Sequence, residues 1–204
     1  MISTLIFDLG NVLLFFDHEL AYTALAKLYD RPREAIRATL AENGLQLDYE
    51  KGLISTAGLH AHLAHWSGQT QVSVAAMAFA ASNIFRPNSE MIDLVKQAKQ
   101  RGLRLVLLSN TNDANFEFIR QRYEFISEFD ELVLSYQVKA LKPEAAIFHA
   151  AIAAARCSPQ ECFYTDDIGT YVEAAATHGI RGTTFVSSTA YLSELNATAG
   201  LRLR

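Results

Sequence analysis

Four short segments of the chain carry residue types that suit phosphoryl chemistry. They are Phe7-Asp8-Leu9-Gly10-Asn11-Val12, Leu108-Ser109-Asn110-Thr111-Asn112, Leu141-Lys142-Pro143-Glu144 and Tyr164-Thr165-Asp166-Asp167. An apolar run leads into the first, second and fourth, and each run ends on a carboxylate or a hydroxyl. The third supplies a lone lysine. Taken singly, each is ordinary: an Asp after a strand is commonly a turn or cap residue, and Ser-Asn-Thr-Asn suits a loop. Together they offer a nucleophilic carboxylate (Asp8), a hydroxyl donor (Ser109), a fixed positive charge (Lys142) and a carboxylate pair (Asp166, Asp167) able to hold Mg²⁺.

The chemistry such a set supports can be stated residue by residue. A carboxylate that attacks phosphorus forms an acyl phosphate and splits one hard hydrolysis into two steps. Attack by an anion on an anionic phosphoryl group needs cations nearby. Mg²⁺ prefers oxygen ligands, and Asp8 with the Asp166-Asp167 pair provides them. Two adjacent carboxylates repel unless a cation lies between them, which favours a metal there. A lysine adds charge where the phosphoryl oxygens sit, and a hydroxyl with backbone N–H groups completes the cradle.

Elements of alternating type must position these residues. Thr4 to Phe7, Arg104 to Leu108, Glu131 to Leu134, Cys162 to Thr165 and Thr183 to Val186 read as strands covered on both faces. Helical patterns lie between them. One is capped at Asn88 or Ser89, carries Met91, Leu94, Val95 and Ala98 inward and stops at Gly102. Others run from Asn112 to Tyr123, from Pro143 through Ile152, and through Val172 and Ala176 to Gly179. Alternation of this kind predicts an α/β fold with a parallel sheet. In such sheets the ligand crevice lies beyond the carboxyl ends of the strands, where Asp8, Ser109 and Asp166-Asp167 would meet.

Residues from about His18 to Ile84 break the alternation. Leu20, Leu25 and Leu28, then Ile36 and Leu40, then Leu59, Leu63 and Trp66, then Val72 to Phe79, mark about four short helices and no convincing strand. They read as a helical insertion, hinged near Phe16-Asp17 and Phe85-Arg86-Pro87. The expected division is residues 1–16 and 86–204 for the α/β core and 17–85 for the insertion. Asn43, Tyr49, His60, His62, His65 and Trp66 are its candidate substrate contacts. The three histidines read as a solvated face rather than a zinc site, since no carboxylate joins them at ligand spacing.

Composition narrows the classes. At 204 residues the chain can bury a full core, and its net charge is -4. The absence of a basic stripe argues against nucleic acid as a partner. No apolar stretch reaches the length of a membrane span, and Asp8 interrupts the apolar start, which reads as a strand and not a leader. Cys157 and Cys162 read as reduced thiols, so a cytoplasmic protein is expected, as a monomer or a homodimer.

With these residues in place, the chain resembles the haloacid dehalogenase superfamily of hydrolases. All four motifs occur in order from the first strand to about Val186, and the insertion sits where that superfamily places a helical cap. The segments Asp8-Leu9-Gly10-Asn11-Val12, Leu108-Ser109-Asn110-Thr111, Leu141-Lys142-Pro143-Glu144-Ala145-Ala146-Ile147-Phe148 and Asp166-Asp167 look most like the sugar-phosphate phosphatase branch. The resemblance implies a Rossmann-like parallel sheet core with an inserted all-helical cap, and a Mg²⁺-dependent phosphatase of small phosphorylated metabolites with Asp8 as nucleophile. It implies metal held by Asp8, the Gly10 carbonyl and Asp167, with Asp166 direct or through water. Ser109 and Lys142 would act on the phosphoryl group, with Asn11 and Asn110 in the same binding loops. Family phosphatases commonly carry a proton-donating Asp two residues after the nucleophile; that position is Gly10, leaving Asp17 or His18 as substitutes or as caps of the first cap helix. Ile168 and Tyr171 stand where that branch often has Asn. Gly10 also keeps open 2-haloacid dehalogenation, which dispenses with metal, and a phospholigand-binding protein on a retained scaffold.

Overall fold

The computed structural model describes residues 1–41 and 44–199. The chain opens on strand β1 (Thr4–Phe7) and turns into β2 (Leu14–Phe16). Five helices follow: α1 (His18–Tyr29), α2 (Arg33–Ala41), α3 (Leu45–Glu50), α4 (Thr56–Ser67) and α5 (Val74–Ser82). Strand β3 (Phe85–Pro87) and helix α6 (Ser89–Gln100) lead back to β4 (Arg104–Ser109). Helix α7 (Asp113–Arg122), β5 (Glu131–Leu134), α8 (Ser135–Val138) and α9 (Ala145–Ala155) come next. The order ends with β6 (Cys162–Asp166), α10 (Gly169–Thr177), β7 (Arg181–Thr184) and α11 (Ser188–Ala199).

Five strands form one parallel sheet in the order β5-β4-β1-β6-β7. Side chains alternate across a strand, so each strand feeds two layers. Leu5, Phe7, Leu105, Leu107 and Phe163 join one core cluster, with Met91 and Val95 of α6 and Tyr191 of α11. Ile6, Val106, Leu108 and Tyr164 join the other, with Ile147, Phe148 and Ala151 of α9. Both faces are thus covered, which is why β1 is buried at every residue. The chain leaves β1 toward β4 and later returns to β6 on its other side, so the direction of strand order reverses beside β1. That reversal puts a crevice at the carboxyl edge of the sheet.

The insertion has its own apolar centre, made by Leu25, Tyr29, Ile36, Leu40, Leu63 and Met77 among others. A two-stranded antiparallel ribbon, β2 with β3, joins it to the sheet through the pairs Leu14↔Pro87, Phe15↔Arg86 and Phe16↔Phe85. Asn88 closes the ribbon: its backbone N–H donates to the Leu13 carbonyl and its side-chain amide to that of Val12, both at 2.9 Å.

Four sequence expectations need correction. The insertion holds five described helices, not four, because α3 is only 6 residues long and shows no full helical period. The hinge segments are paired strands; at three residues each they are too short to display alternation. The last strand is Arg181–Thr184 rather than Thr183–Val186. It is a largely exposed edge strand, so the apolar Phe185 and Val186 do not mark it. Pro143 does not start a helix: Glu144 is the N-cap of α9, and its N–H donates to the Leu141 carbonyl at 2.7 Å in a turn that precedes the helix. Asn43 lies outside the described residues.

Candidate active site

Three strand ends and one loop build the site. β1 stops at Phe7, and Asp8 follows with its backbone N–H still donating to the Thr165 carbonyl at 2.9 Å. The chain then folds back sharply. The N–H groups of Leu13 and Leu14 both donate to the Leu9 carbonyl, and Asn11 takes a left-handed φ of 53°. Asn tolerates that conformation better than most side chains. Asn11 also donates from its amide to Asp167 Oδ2 at 3.0 Å.

Lys142 is the centre of the charge network. Its ammonium lies 2.6 Å from Asp8 Oδ1 and 2.6 Å from Asp166 Oδ2, and donates to the Leu108 carbonyl at 3.3 Å. Lys142 is 3% exposed and Asp166 0%, so this is a buried bridge of one cation to two carboxylates. Asn110 clamps the lysine's backbone: its Oδ1 accepts from the Lys142 N–H at 2.8 Å and its Nδ2 donates to the Lys142 carbonyl at 3.1 Å. Asp166 is engaged through both oxygens. Oδ1 accepts from the Ile168 N–H at 2.9 Å, and Oδ2 accepts from the Tyr164 hydroxyl as well as from Lys142.

These neighbours set the ionisation. Burial pushes the Asp8 carboxyl up to about 7; Lys142 opposes the rise and Asp166 adds to it. Burial alone would push Lys142 down, yet the two carboxylates hold its ammonium above the usual lysine value. Asp167 is raised mainly by partial burial, against the Asn11 hydrogen bond. Carboxylate oxygens of Asp8, Asp166 and Asp167 all come within 4.8 Å of one another. A crowd of three acidic groups with one ammonium is short of positive charge. That all-oxygen donor set fits a hard divalent cation such as Mg²⁺.

The site opens into a cavity of about 290 Å³. Of the residues singled out from sequence, Asp8, Gly10, Asn11, Ser109, Asn110, Lys142 and Asp167 line it, while Asp166 stands behind the wall. Ile168 and Tyr171 line it too, and the Tyr171 ring centre is 5.3 Å from the Lys142 ammonium. The insertion contributes His18, Gln46 and Glu50. Asp17 is spent as the N-cap of α1, accepting from the Glu19 N–H at 2.9 Å.

The expected cap contacts do not reach this cavity. Tyr49 lies deeper in the insertion with its hydroxyl bonded to Thr56, His60 pairs with the Val72 carbonyl, and Trp66 faces Arg31. His62 and His65 are exposed. Gln46 and Glu50 of α3 take the place those residues were expected to fill. The one signal for them in sequence is a Gln–Glu pair four residues apart, which forms a 3.0 Å hydrogen bond along the helix. Cys157 and Cys162 are free thiols, distant in sequence from every lining residue except Asp167 and Ile168.

Comparison with known proteins agrees with this architecture. The family model for haloacid dehalogenase-like hydrolases matches residues 2–179. The chain therefore belongs to the haloacid dehalogenase-like hydrolases and is an enzyme of that class. It is similar to a D-ribitol-5-phosphate phosphatase of Bacteroides thetaiotaomicron, 27% identical over 177 residues, covering 82% of this chain and 84% of the relative. A crystal structure of a haloacid dehalogenase-family enzyme from the same organism, in complex with magnesium and inorganic phosphate, superposes with a TM-score of 0.80. It is 28% identical and covers 90% of this chain and 94% of its own. The structure of a predicted family hydrolase from Porphyromonas gingivalis gives a TM-score of 0.81 at 25% identity, covering both chains completely.

Proposed function

We propose that the protein is a Mg²⁺-dependent phosphatase that hydrolyses a small phosphorylated metabolite, of the sugar- or polyol-phosphate kind, through an aspartyl-phosphate on Asp8. The observation that carries this reading is the buried Lys142 bridging Asp8 and Asp166 at 2.6 Å each, beside a third carboxylate and open to a cavity. One ammonium among three carboxylates leaves room for a dication and, through it, for an anionic substrate.

Each residue then has a role. Asp8 attacks phosphorus; the bond to the leaving oxygen breaks, and water later cleaves the acyl phosphate. Lys142 fixes the Asp8 carboxylate by one oxygen and offsets phosphoryl charge. Asp166, with both oxygens already taken, positions Lys142 from behind. Asn110 fixes the lysine's backbone, and Ser109 with neighbouring N–H groups holds the phosphoryl oxygens. Asp8, the Gly10 carbonyl and Asp167 would hold Mg²⁺, which withdraws charge from the phosphoryl group when bound. Asn11 orients Asp167. The helical insertion covers the cavity and excludes water. Among the described residues no helix is long and apolar enough to cross a membrane.

Asp8→Asn should abolish phosphate release from a panel of phosphate esters, by at least about 10³-fold, while the protein stays folded. Undiminished turnover by that variant would sink the mechanism. The bare Gly10 favours one second reading, displacement at carbon in a 2-haloacid. Metal-independent chloride release from 2-chloropropionate in EDTA would establish it in place of the first.

A further inference from the structure

Three carboxyl-bearing residues line the cavity: Asp8, Asp167 and Glu50. Asp8 is engaged by Lys142 and Asp167 by Asn11. Glu50 differs from both in its place in the chain. It comes from the insertion, as the last residue of α3, and its carboxyl accepts a hydrogen bond from a neutral group, Gln46 Nε2. Its backbone is tied to the core, because the Ser135 hydroxyl at the start of α8 lies 2.6 Å from the Glu50 carbonyl and donates to it. The same Ser135 oxygen accepts from the Thr111 N–H at 2.9 Å, in the loop that follows Ser109. Glu50 is therefore registered against the phosphate-side loops.

Burial holds the Glu50 carboxyl above its ordinary value, opposed by the Gln46 hydrogen bond and by His18. A cavity-lining carboxyl whose hydrogen-bond partner is a neutral amide is placed to pass a proton to a group bound there. The floor has no room for another. A Cβ on Gly10 would come within 2.7 Å of the Phe16 ring, Asp17 is committed as a cap, and His18 is exposed, its ring packed edge-on to Phe16. An alcohol leaving group needs such a donor, since it departs badly as an alkoxide.

Resting on the phosphatase reading above, we propose that Glu50 is the general acid that protonates the leaving oxygen and so suits the site to alkyl phosphates. Asp8 forms its bond to phosphorus as the bond to the leaving oxygen breaks. That oxygen keeps the electron pair and takes the Glu50 proton, leaving as a neutral alcohol. Glu50 carboxylate then takes a proton from the water that attacks the acyl phosphate, and is reset.

The test compares Glu50→Gln with wild type on p-nitrophenyl phosphate, a good leaving group, and on the alkyl phosphates that wild type turns over. Loss of the acid should lower kcat/KM on alkyl phosphates by about 10²–10⁴-fold and on the aryl ester by at most about threefold. Gln keeps the contact to Gln46, and a structural defect would lower both alike. Equal losses, or none, overturn the proposal. A leaving-group series on wild type decides the matter even if the variant fails to fold. Rates nearly independent of leaving-group pKa are expected; a steep fall with rising pKa, or turnover of aryl but no alkyl esters, overturns it. Wild type inactive on every ester with Mg²⁺ present would instead remove the phosphatase reading itself.

Discussion

The floor and the roof of the cavity are built on opposite terms. The floor is the carboxyl edge of a five-stranded sheet buried on both faces, and its charged groups lock each other: Lys142, Asp8 and Asp166 are each under 10% exposed and bonded together. The roof is a six-residue helix whose one functional carboxyl, Glu50, has a neutral partner along its own helix. On the proposed reading, a floor so constrained would fix where phosphate and metal sit. A roof with few constraints is free to differ in what it offers the rest of the substrate. On that reading the sheet would supply the nucleophile and its counter-charges, and the insertion the group that meets the leaving oxygen.

Breaking the floor should cost the most. Lys142→Met removes the single cation between two buried carboxylates, and breaking such a pair typically costs about 3–5 kcal/mol. A large drop in Tm is expected in EDTA, partly recovered on adding Mg²⁺, because a dication bound to the folded state replaces the lost charge. A melt unchanged from wild type would show that the carboxylates are not held by Lys142. The tie between roof and floor comes next. Ser135→Ala deprives the Thr111 N–H and the Glu50 carbonyl of their partner, which costs about 1–3 kcal/mol for buried groups. Loosening the Thr111 loop should slow both ester classes, and shifting Glu50 should slow alkyl phosphates further; an equal loss on both would deny the roof a separate role.

The same contrast explains what the sequence disclosed. The floor was legible because every one of its residues follows an apolar strand run or sits in a loop between two such runs, and burial on both faces makes those runs continuous. Asp8, Ser109 and Asp167 reach one cavity as their positions on strand ends imply, and Lys142 joins them from the loop between α8 and α9. The parallel α/β class followed from the same runs. The roof was illegible because α3 has too few residues for a helical period, and because the aromatic and histidine residues that drew attention, Trp66 and His60 among them, face Arg31 and Val72 instead. The β2–β3 ribbon failed for the same reason: three-residue strands carry no pattern.

Acid titration separates the two regions further. Asp8 has its carboxyl raised from 3.8 to about 7 in the metal-free protein, chiefly by burial. Its folded-state pKa lies above the unfolded one, so the folded state binds more protons between those values. Without metal, the stability Asp8 contributes is therefore full below about 4 and declines as pH rises toward 7. Mg²⁺ must displace that proton. Calorimetry should show Mg²⁺ affinity weakening about tenfold per pH unit below 7, with one proton released on binding. Affinity that stays flat from pH 7 to 5 would show that Asp8 is ionised without the metal and that the burial argument fails.

The smallest effect lies where floor meets ribbon. Gly10 has no positive φ, so its backbone does not demand glycine; what it lacks is space, because the edge of the Phe16 ring lies 2.7 Å from where a Cβ would be. Phe16 in turn is held by β3, with its ring 6.1 Å from Phe85, and by His18 at 4.8 Å. Gly10→Ala should thus cost about 1 kcal/mol through overpacking against an aromatic ring, and Phe16→Leu should relieve most of it. A double-mutant cycle by denaturant unfolding measures that coupling. Additive costs would mean that the ring swings aside freely, leaving no steric reason for Gly10. Strong coupling would mean that the ribbon excludes a side chain beside the nucleophile, so that the task such a side chain would perform passes to the roof.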